Sequence, residues 1–364
     1  MKLKIGFIGL GLIGGSIAKA VRQYYPECEI IAFDKSKESL ALAMQESVID
    51  TVCSSVDENF SLCDYIFLCT PVSSNNAYLA QLKPYIHEKC IITDVGSVKA
   101  PIHKEIEALG MEENFIGGHP MAGSEKTGYA NSKAMLIENA YYILTPSANV
   151  SSDKITKMSE LIDSLKAIPI ILDYEKHDYI TGTISHLPHL LAAGLVNYVK
   201  ENDSEDELMK LLAAGGFKDM TRIASSSPVM WQQICLENSG NITEILGKYI
   251  VLLEQVKEFV ENKNSQALYD MFASSKDYRN AIPDASAGPI KKAFALYCDI
   301  ADVAGGIAAV AVILANCGIN IKNIGIIHNR EFEEGVLRVE FYEEESLSKA
   351  AKLLQEHKYA VYER

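Results

Sequence analysis

The eight cysteines, at positions 28, 53, 63, 69, 90, 235, 298 and 317, form no CxxC pair, and no Cys/His cluster has zinc-ligand spacing. That excludes a zinc module or a disulfide framework. The thiols are left as small core hydrophobes in a reduced, cytoplasmic protein. Positive charge is also scarce: 34 Lys and Arg stand against 48 Asp and Glu, a net charge of −14. Nucleic acid needs a basic footprint, so it is excluded as a partner, and an anionic substrate must be gripped by local cations. Long apolar runs are missing as well. Residues 303–315 are apolar throughout, but they fall short of the ~20 residues that span a bilayer. Residues 1–18 open on lysines and turn hydrophobic, yet no A-x-A-like cleavage site follows. No membrane segment is expected, and no metal.

What is present is a soluble globular composition, 48% hydrophobic and 23% charged, over 364 residues. That length favours two or three domains. Strand-like runs at 4–9, 30–34, 65–70, 91–95, 115–118, 141–145 and 168–172 alternate with helical patterns such as 12–24, 36–46 and 152–165. This predicts parallel βαβ units in a domain over 1–173. Residues 174–292 are helical almost throughout, and the broad apolar stripe of 241–262 suits both a core and a partner helix. A helical substrate and dimerisation domain, and hence a homodimer, is the economical expectation. After a Pro- and Gly-bearing connection at 283–289, residues 294–364 follow a βαββαβ order, the ferredoxin-like layout.

The first strand runs straight into Gly9-Leu10-Gly11-Leu12-Ile13-Gly14. The glycines suit a tight turn, close approach of a pyrophosphate, and close packing of helix on strand. The helix that begins there directs its N–H groups at phosphates. Asp34 ends the next strand, twenty residues after Gly14, where a carboxylate accepts from the ribose hydroxyls and repels a 2′-phosphate. NAD is therefore favoured, although Lys35 beside it keeps NADP open.

Dinucleotides bind outside the carboxyl ends of parallel strands. Thr70 and Pro71, Ser97 and His119 each follow such a strand and should line one crevice. A histidine beside a nicotinamide can take the proton of a hydroxyl whose carbon gives up hydride, and Ser97 could orient the ring. The glycines Gly117, Gly118 and Gly123 around His119 are expected to let backbone and ligand come close. Farther on, His186 and His189 share a helical face interrupted by Pro188. Lys218 and Arg222 form an i,i+4 pair; taken alone, Arg222 would be an ordinary surface charge.

Together, the segments 6–16, 94–99, 117–128, 185–189 and 215–231, including GGHPMAGSEKTG, SHLPH and GGFKDMTRIA, resemble the prephenate dehydrogenase family of tyrosine biosynthesis. The resemblance implies an α/β protein with a Rossmann-type NAD domain, a helical domain and the oxidative decarboxylation of prephenate to 4-hydroxyphenylpyruvate. It implies His119 as the catalytic histidine on the ring hydroxyl and Ser97 between hydroxyl, histidine and nicotinamide. It further implies Arg222 on a substrate carboxylate, with His189 and Ser185 fixing the substrate. Glu125 and Lys218 would pair at the entrance.

The tail resembles an ACT domain, which implies an amino-acid effector such as tyrosine. The turn at 302–307 lacks the family's proline, and a purely structural or dimer-forming role stays open. Within the enzymes, histidine rather than an amide at 189 leans toward prephenate over arogenate. An inactive NAD- and amino-acid-sensing regulator is the reading from another class, opposed by the joint presence of His119, Ser97 and Arg222.

Overall fold

Short apolar runs buried on both faces become parallel strands, because neither face has to meet water. Such runs are Lys4–Ile8 (β1), Glu29–Phe33 (β2), Tyr65–Leu68 (β4) and Ile91–Asp94 (β5); the brief Thr51–Val52 (β3) is an exposed edge beside β2. They form one parallel sheet in the order β3-β2-β1-β4-β5. The connecting helices are Leu12–Tyr24 (α1), Lys37–Gln45 (α2), Val72–Leu82 (α3) and Ala100–Leu109 (α4). Phe7 of β1 stacks on Phe67 of β4 at 5.1 Å between ring centroids, within the core. The chain reverses its winding between β1 and β4, which opens a crevice outside their carboxyl ends.

The computed structural model describes residues 2–123, 126–282, 294–300, 303–327 and 335–363. It divides into two compact units, 1–282 and 283–364. The expected connection at 283–289 lies outside the described residues.

Beyond β5 the first unit departs from an all-parallel pattern. Ile116–Pro120 (β6) pairs antiparallel with Tyr141–Pro146 (β7). The helix Ser152–Ser164 (α5) then leads to Ile168–Ile171 (β8), which is parallel to β7. A parallel bridge from Ile92 to Phe115 sets β6 alongside β5, so β6 also ends on the crevice side. His119 lies inside β6, opposite Ile143, rather than after the strand. The pairing with β7 carries the ladder past the glycines; Met121 N–H still donates to Tyr141 O at 2.8 Å.

The helical half starts at Asp173, whose carboxylate accepts from the N–H groups of Glu175 and Lys176 and caps Tyr174–Thr181 (α6). A π-helical turn, Gly182–His186, joins it to Leu187–Asn202 (α7). Pro188 has no N–H to close the turn before it, so the expected kink is taken up as this wider turn. There follow Leu208–Leu212 (α8), Gly215–Thr221 (α9), Pro228–Glu237 (α10), Ser239–Glu261 (α11) and Ser265–Ala281 (α12). Ile242 and Ile245 of α11 are buried, whereas Ile250, Val251, Leu252 and Leu253 are exposed in the single chain, as are Tyr269 and Phe272 of α12.

The second unit comprises Phe294–Ile300 (β9), Gly306–Asn316 (α13), Ile321–Ile327 (β10), Gly335–Phe341 (β11), Glu344–Glu356 (α14) and Val361–Glu363 (β12). Its antiparallel sheet runs β10-β11-β9-β12 and packs Leu296, Cys298, Leu337 and Val339 against Val310, Leu314, Leu347 and Leu354 of the two helices. Among the described residues no helix is long and apolar enough to cross a membrane.

Candidate active site

Gly9 directly follows β1 at φ 100°, a conformation glycine tolerates, and a Cβ there would stand 2.7 Å from Cys69 O. At Gly14 a Cβ would meet Gly9 O at 2.4 Å, so α1 packs on the turn only through glycine. Gly11 differs: a Cβ there meets nothing within 4 Å. The space before the N-terminus of α1 is open, as close approach of a pyrophosphate requires. Leu12 and Ile13 begin α1 behind it.

Asp34 stands just past β2 and is held on both sides. Its Oδ2 accepts from Leu10 N–H at 2.5 Å and its Oδ1 from Ser36 N–H at 2.6 Å. Thr70, beyond β4, donates its hydroxyl to Asn75 Oδ1 at 2.5 Å, which leaves the Thr70 oxygen as an acceptor. These residues fit a dinucleotide. Among the described residues no group of His, Cys, Asp and Glu is arranged to hold a metal ion.

The centre of the crevice holds a chain of hydrogen bonds that the sequence did not announce. His119 Nδ1 lies 2.8 Å from His177 Nε2, and His177 Nδ1 lies 2.7 Å from Asp178 Oδ1. Asp178 also accepts from the backbone N–H groups of Lys99 and Ala100, both at 2.8 Å. A carboxylate so surrounded only accepts, so His177 carries its proton on Nδ1 and offers the Nε2 lone pair to His119. His119 therefore donates through Nδ1, and its Nε2 is left unprotonated. No hydrogen bond engages that nitrogen among the described residues. Burial first, then the charges of His177, Lys99 and His186, push the His119 pKa well below 6.5. The neutral form, the one able to take a proton, is the resting form.

Two expectations change here. His177, not Ser97, orients the His119 ring; among the described residues Ser97 makes no hydrogen bond to it. Gly117 and Gly118 make room for protein rather than ligand. Their Cβ atoms would lie 2.3 Å from Thr145 Oγ1 and 2.5 Å from Asp94 O.

The π turn and the start of α7 bring His186 and His189 against Trp231 of α10. Trp231 stacks on His189 at 3.6 Å between centroids and meets His186 edge-on at 5.9 Å. His189 Nδ1 donates to Ser185 O at 3.0 Å, so its Nε2 is an acceptor. His186 is buried at Asn238, 3.1 Å away, and burial pulls its pKa down to about 4. The Trp231 indole N–H is buried without a partner among the described residues. Arg222 begins the turn after α9, near enough for its charge to lower the His189 pKa, below burial in effect. Lys218 is exposed on α9, half-buried Ser185 sits in the π turn, and Pro71 is exposed beside Thr70. Glu125 lies outside the described residues.

Sequence reasoning missed His177, Asp178, Lys99, Asp94, Asn238 and the pocket role of Trp231. The available signal for the first two was a His-Asp pair just inside a capped helix, which by itself is ordinary.

Comparison with known proteins identifies the family. Residues 17–171 match the family described as prephenate dehydrogenase, nucleotide-binding domain, and residues 173–274 match prephenate dehydrogenase, dimerization domain. The chain is 37% identical to prephenate dehydrogenase of Bacillus subtilis, covering 98% of this chain and 96% of that protein. It is 35% identical to the Lactococcus lactis enzyme of the same name, over 97% of each. A crystal structure of prephenate dehydrogenase from A. aeolicus, in complex with hydroxyphenyl propionate and NAD+, superposes with a TM-score of 0.73 at 31% identity. That match covers 78% of this chain and 99% of the other. By fold, site and sequence, the chain belongs to the prephenate dehydrogenase family.

Proposed function

We propose that the protein is an NAD-dependent prephenate dehydrogenase, converting prephenate and NAD+ to 4-hydroxyphenylpyruvate, carbon dioxide and NADH. The observation that carries this reading is the Asp178–His177–His119 chain, whose His119 Nε2 no described residue engages, together with a glycine turn whose front is open. Gly9 to Gly14, Asp34, Thr70 and Pro71 would hold NAD, which would supply the hydride acceptor. His119 Nε2 accepts the hydrogen bond of the substrate ring hydroxyl and then its proton. The charge that develops on His119 is offset through His177 by Asp178. As the ring carboxylate leaves as carbon dioxide, its bonding electrons complete the aromatic ring and the proton held by His119 returns to the phenolate oxygen, so the protein mainly positions groups and balances charge.

Arg222 grips a substrate carboxylate in a bidentate fork. His189 and Ser185 would fix the substrate, Ser97 would stand between its hydroxyl and the nicotinamide, and Lys218 would serve the entrance. Three domains divide this work: 1–173 binds NAD, 174–292 holds the substrate and 294–364 regulates. The exposed apolar faces of α11 and α12 support a homodimer built on the second domain. All eight cysteines are free thiols, in keeping with the cytoplasm. The order β10-β11-β9-β12 supports a ferredoxin-like ACT domain in the tail, with tyrosine as feedback effector.

The test follows NADH formation with prephenate and with arogenate, each with and without tyrosine. Prephenate is expected to be the better substrate, and tyrosine to inhibit. Turnover of arogenate alone moves the protein to arogenate dehydrogenase, while no turnover of either leaves an amino-acid sensor. An unchanged rate with tyrosine removes the feedback role.

Asp34→Asn tests the cofactor assignment. Losing a charged acceptor costs about 1.5–3 kcal/mol, so the NAD KM is expected to rise about tenfold or more while that for NADP falls. Coenzyme titrations at saturating prephenate check it.

A further inference from the structure

We infer that Lys99, paired with Asp94, is a positioning residue for His119. The inference rests on the prephenate dehydrogenase reading for its kinetic part only.

Lys99 and Asp94 are both fully buried, and burying two charges is costly unless geometry repays it. A buried ion pair is weak evidence for stability, since apolar residues of the same volume often do as well. What apolar residues cannot do is fix polar atoms, and these two hold both main-chain polar atoms of one residue. Asp94 Oδ1 accepts from Gly118 N–H at 3.1 Å, while Lys99 Nζ donates to Gly118 O at 2.6 Å and to Asp94 Oδ2. Gly118 immediately precedes His119. Asp94 Oδ2 also accepts from Gly96 N–H at 2.9 Å, which fixes the turn leading to Ser97.

The main chain of Lys99 holds the opposite end. Its N–H donates to Asp178, the carboxylate that anchors His177. A closed circuit results, from the Lys99 side chain through Gly118, His119, His177 and Asp178 back to the Lys99 N–H. One residue thus sets the distance between the strand that carries His119 and the helix that carries its partner. Gly118 has no side chain to interfere, since a Cβ there would strike Asp94 O. Burial lowers the Lys99 pKa, and Asp94 above all, with Asp178 and Glu237, opposes that shift.

The experiment uses the full-length protein with isotope-labelled histidine. Ring-nitrogen NMR reads the His119 tautomer without substrate, its signals being identified by their loss in His119→Asn. The variants are Lys99→Met and Asp94→Asn; the second keeps the volume and an oxygen for Gly118 N–H. The wild type is expected to show one His119 tautomer with the proton on Nδ1. Each folded variant is expected to show mixed tautomers, with kcat lowered by about tenfold to a hundredfold and KM for prephenate and NAD within about threefold. A folded variant that keeps the single tautomer and kcat within about threefold overturns the inference. So does loss of the fold, by thermal melting, in both variants, for then the pair only supports the core. Wild-type protein that fails to oxidise prephenate sinks the functional reading instead and leaves the tautomer readout standing.

Discussion

Replacing His119 with asparagine lowers kcat by ~10²–10⁴-fold, the range over which a positioned base contributes, and leaves NAD binding unchanged. The expectation follows from where the ring sits and which nitrogen is free. Nδ1 is committed to His177 at 2.8 Å, which leaves Nε2 for the hydroxyl in the proposed reaction. Asparagine at 119 has an oxygen to accept a hydrogen bond but no capacity to hold a proton at neutral pH. The pH profile carries the second half of the prediction. In the proposed reaction His119 works as the neutral base, and its pKa is depressed, so the active form persists as the pH falls. The acid limb of kcat/KM in the wild type therefore lies below pH 6.5 and is absent from the residual activity of the variant. A loss smaller than about tenfold removes His119 from the proton transfer.

The second large effect belongs to a residue that never touches substrate. Asp178→Asn is nearly isosteric, yet it exchanges two acceptors for one acceptor and one donor. In the native protein the carboxylate takes two backbone N–H groups and the His177 Nδ1 proton. An amide that turns its NH2 toward His177 demands a lone pair on Nδ1 and sends the proton to Nε2. His177 then donates to His119, and His119 presents N–H, not a lone pair, to a hydroxyl that must lose its proton. Either way round, a backbone donor faces the amide NH2, Lys99 N–H in the first case and Ala100 N–H in the second, at a cost of about 1–3 kcal/mol of stability. The first orientation predicts kcat lowered by ~10²-fold or more with prephenate KM little altered, whereas the second keeps an oxygen on His177 and predicts the stability loss alone. Steady-state kinetics separates the two, and urea melts check the loss common to both. Wild-type kcat in a variant shown by ring-nitrogen NMR to hold the altered His177 tautomer disproves the hydrogen-bond chain as the source of the His119 function.

Much of this architecture was legible in local pattern. The glycine turn and Asp34 were readable because covalent spacing along one βαβ unit fixes where a phosphate and a ribose must lie. His119 was readable as a residue at a strand end. Its partners were not, because His177 and Asp178 are 58 and 59 positions away and arrive by the packing of α6 against the sheet. Nothing in a His-Asp dipeptide distinguishes a buried relay from an exposed turn. The reason for Gly117 and Gly118 was also hidden, since the atoms that exclude a Cβ come from Thr145 and Asp94. Pro188 announced a disturbance in its helix but not its form, a widened turn that carries Ser185 and His186.

The stack of Trp231 on His189 has an optical consequence. The chain holds a single tryptophan among 18 tyrosines. Excited at the red edge of protein absorption, the protein emits from one indole, 3.6 Å from the His189 imidazole proposed to meet the substrate. Protonation of His189, or arrival of a ligand between the rings and the crevice, changes the quenching of that indole. NADH absorbs where tryptophan emits, so cofactor at the glycine turn draws energy from the same ring. The pocket thus carries its own fluorophore, able to time substrate entry and cofactor release without a label.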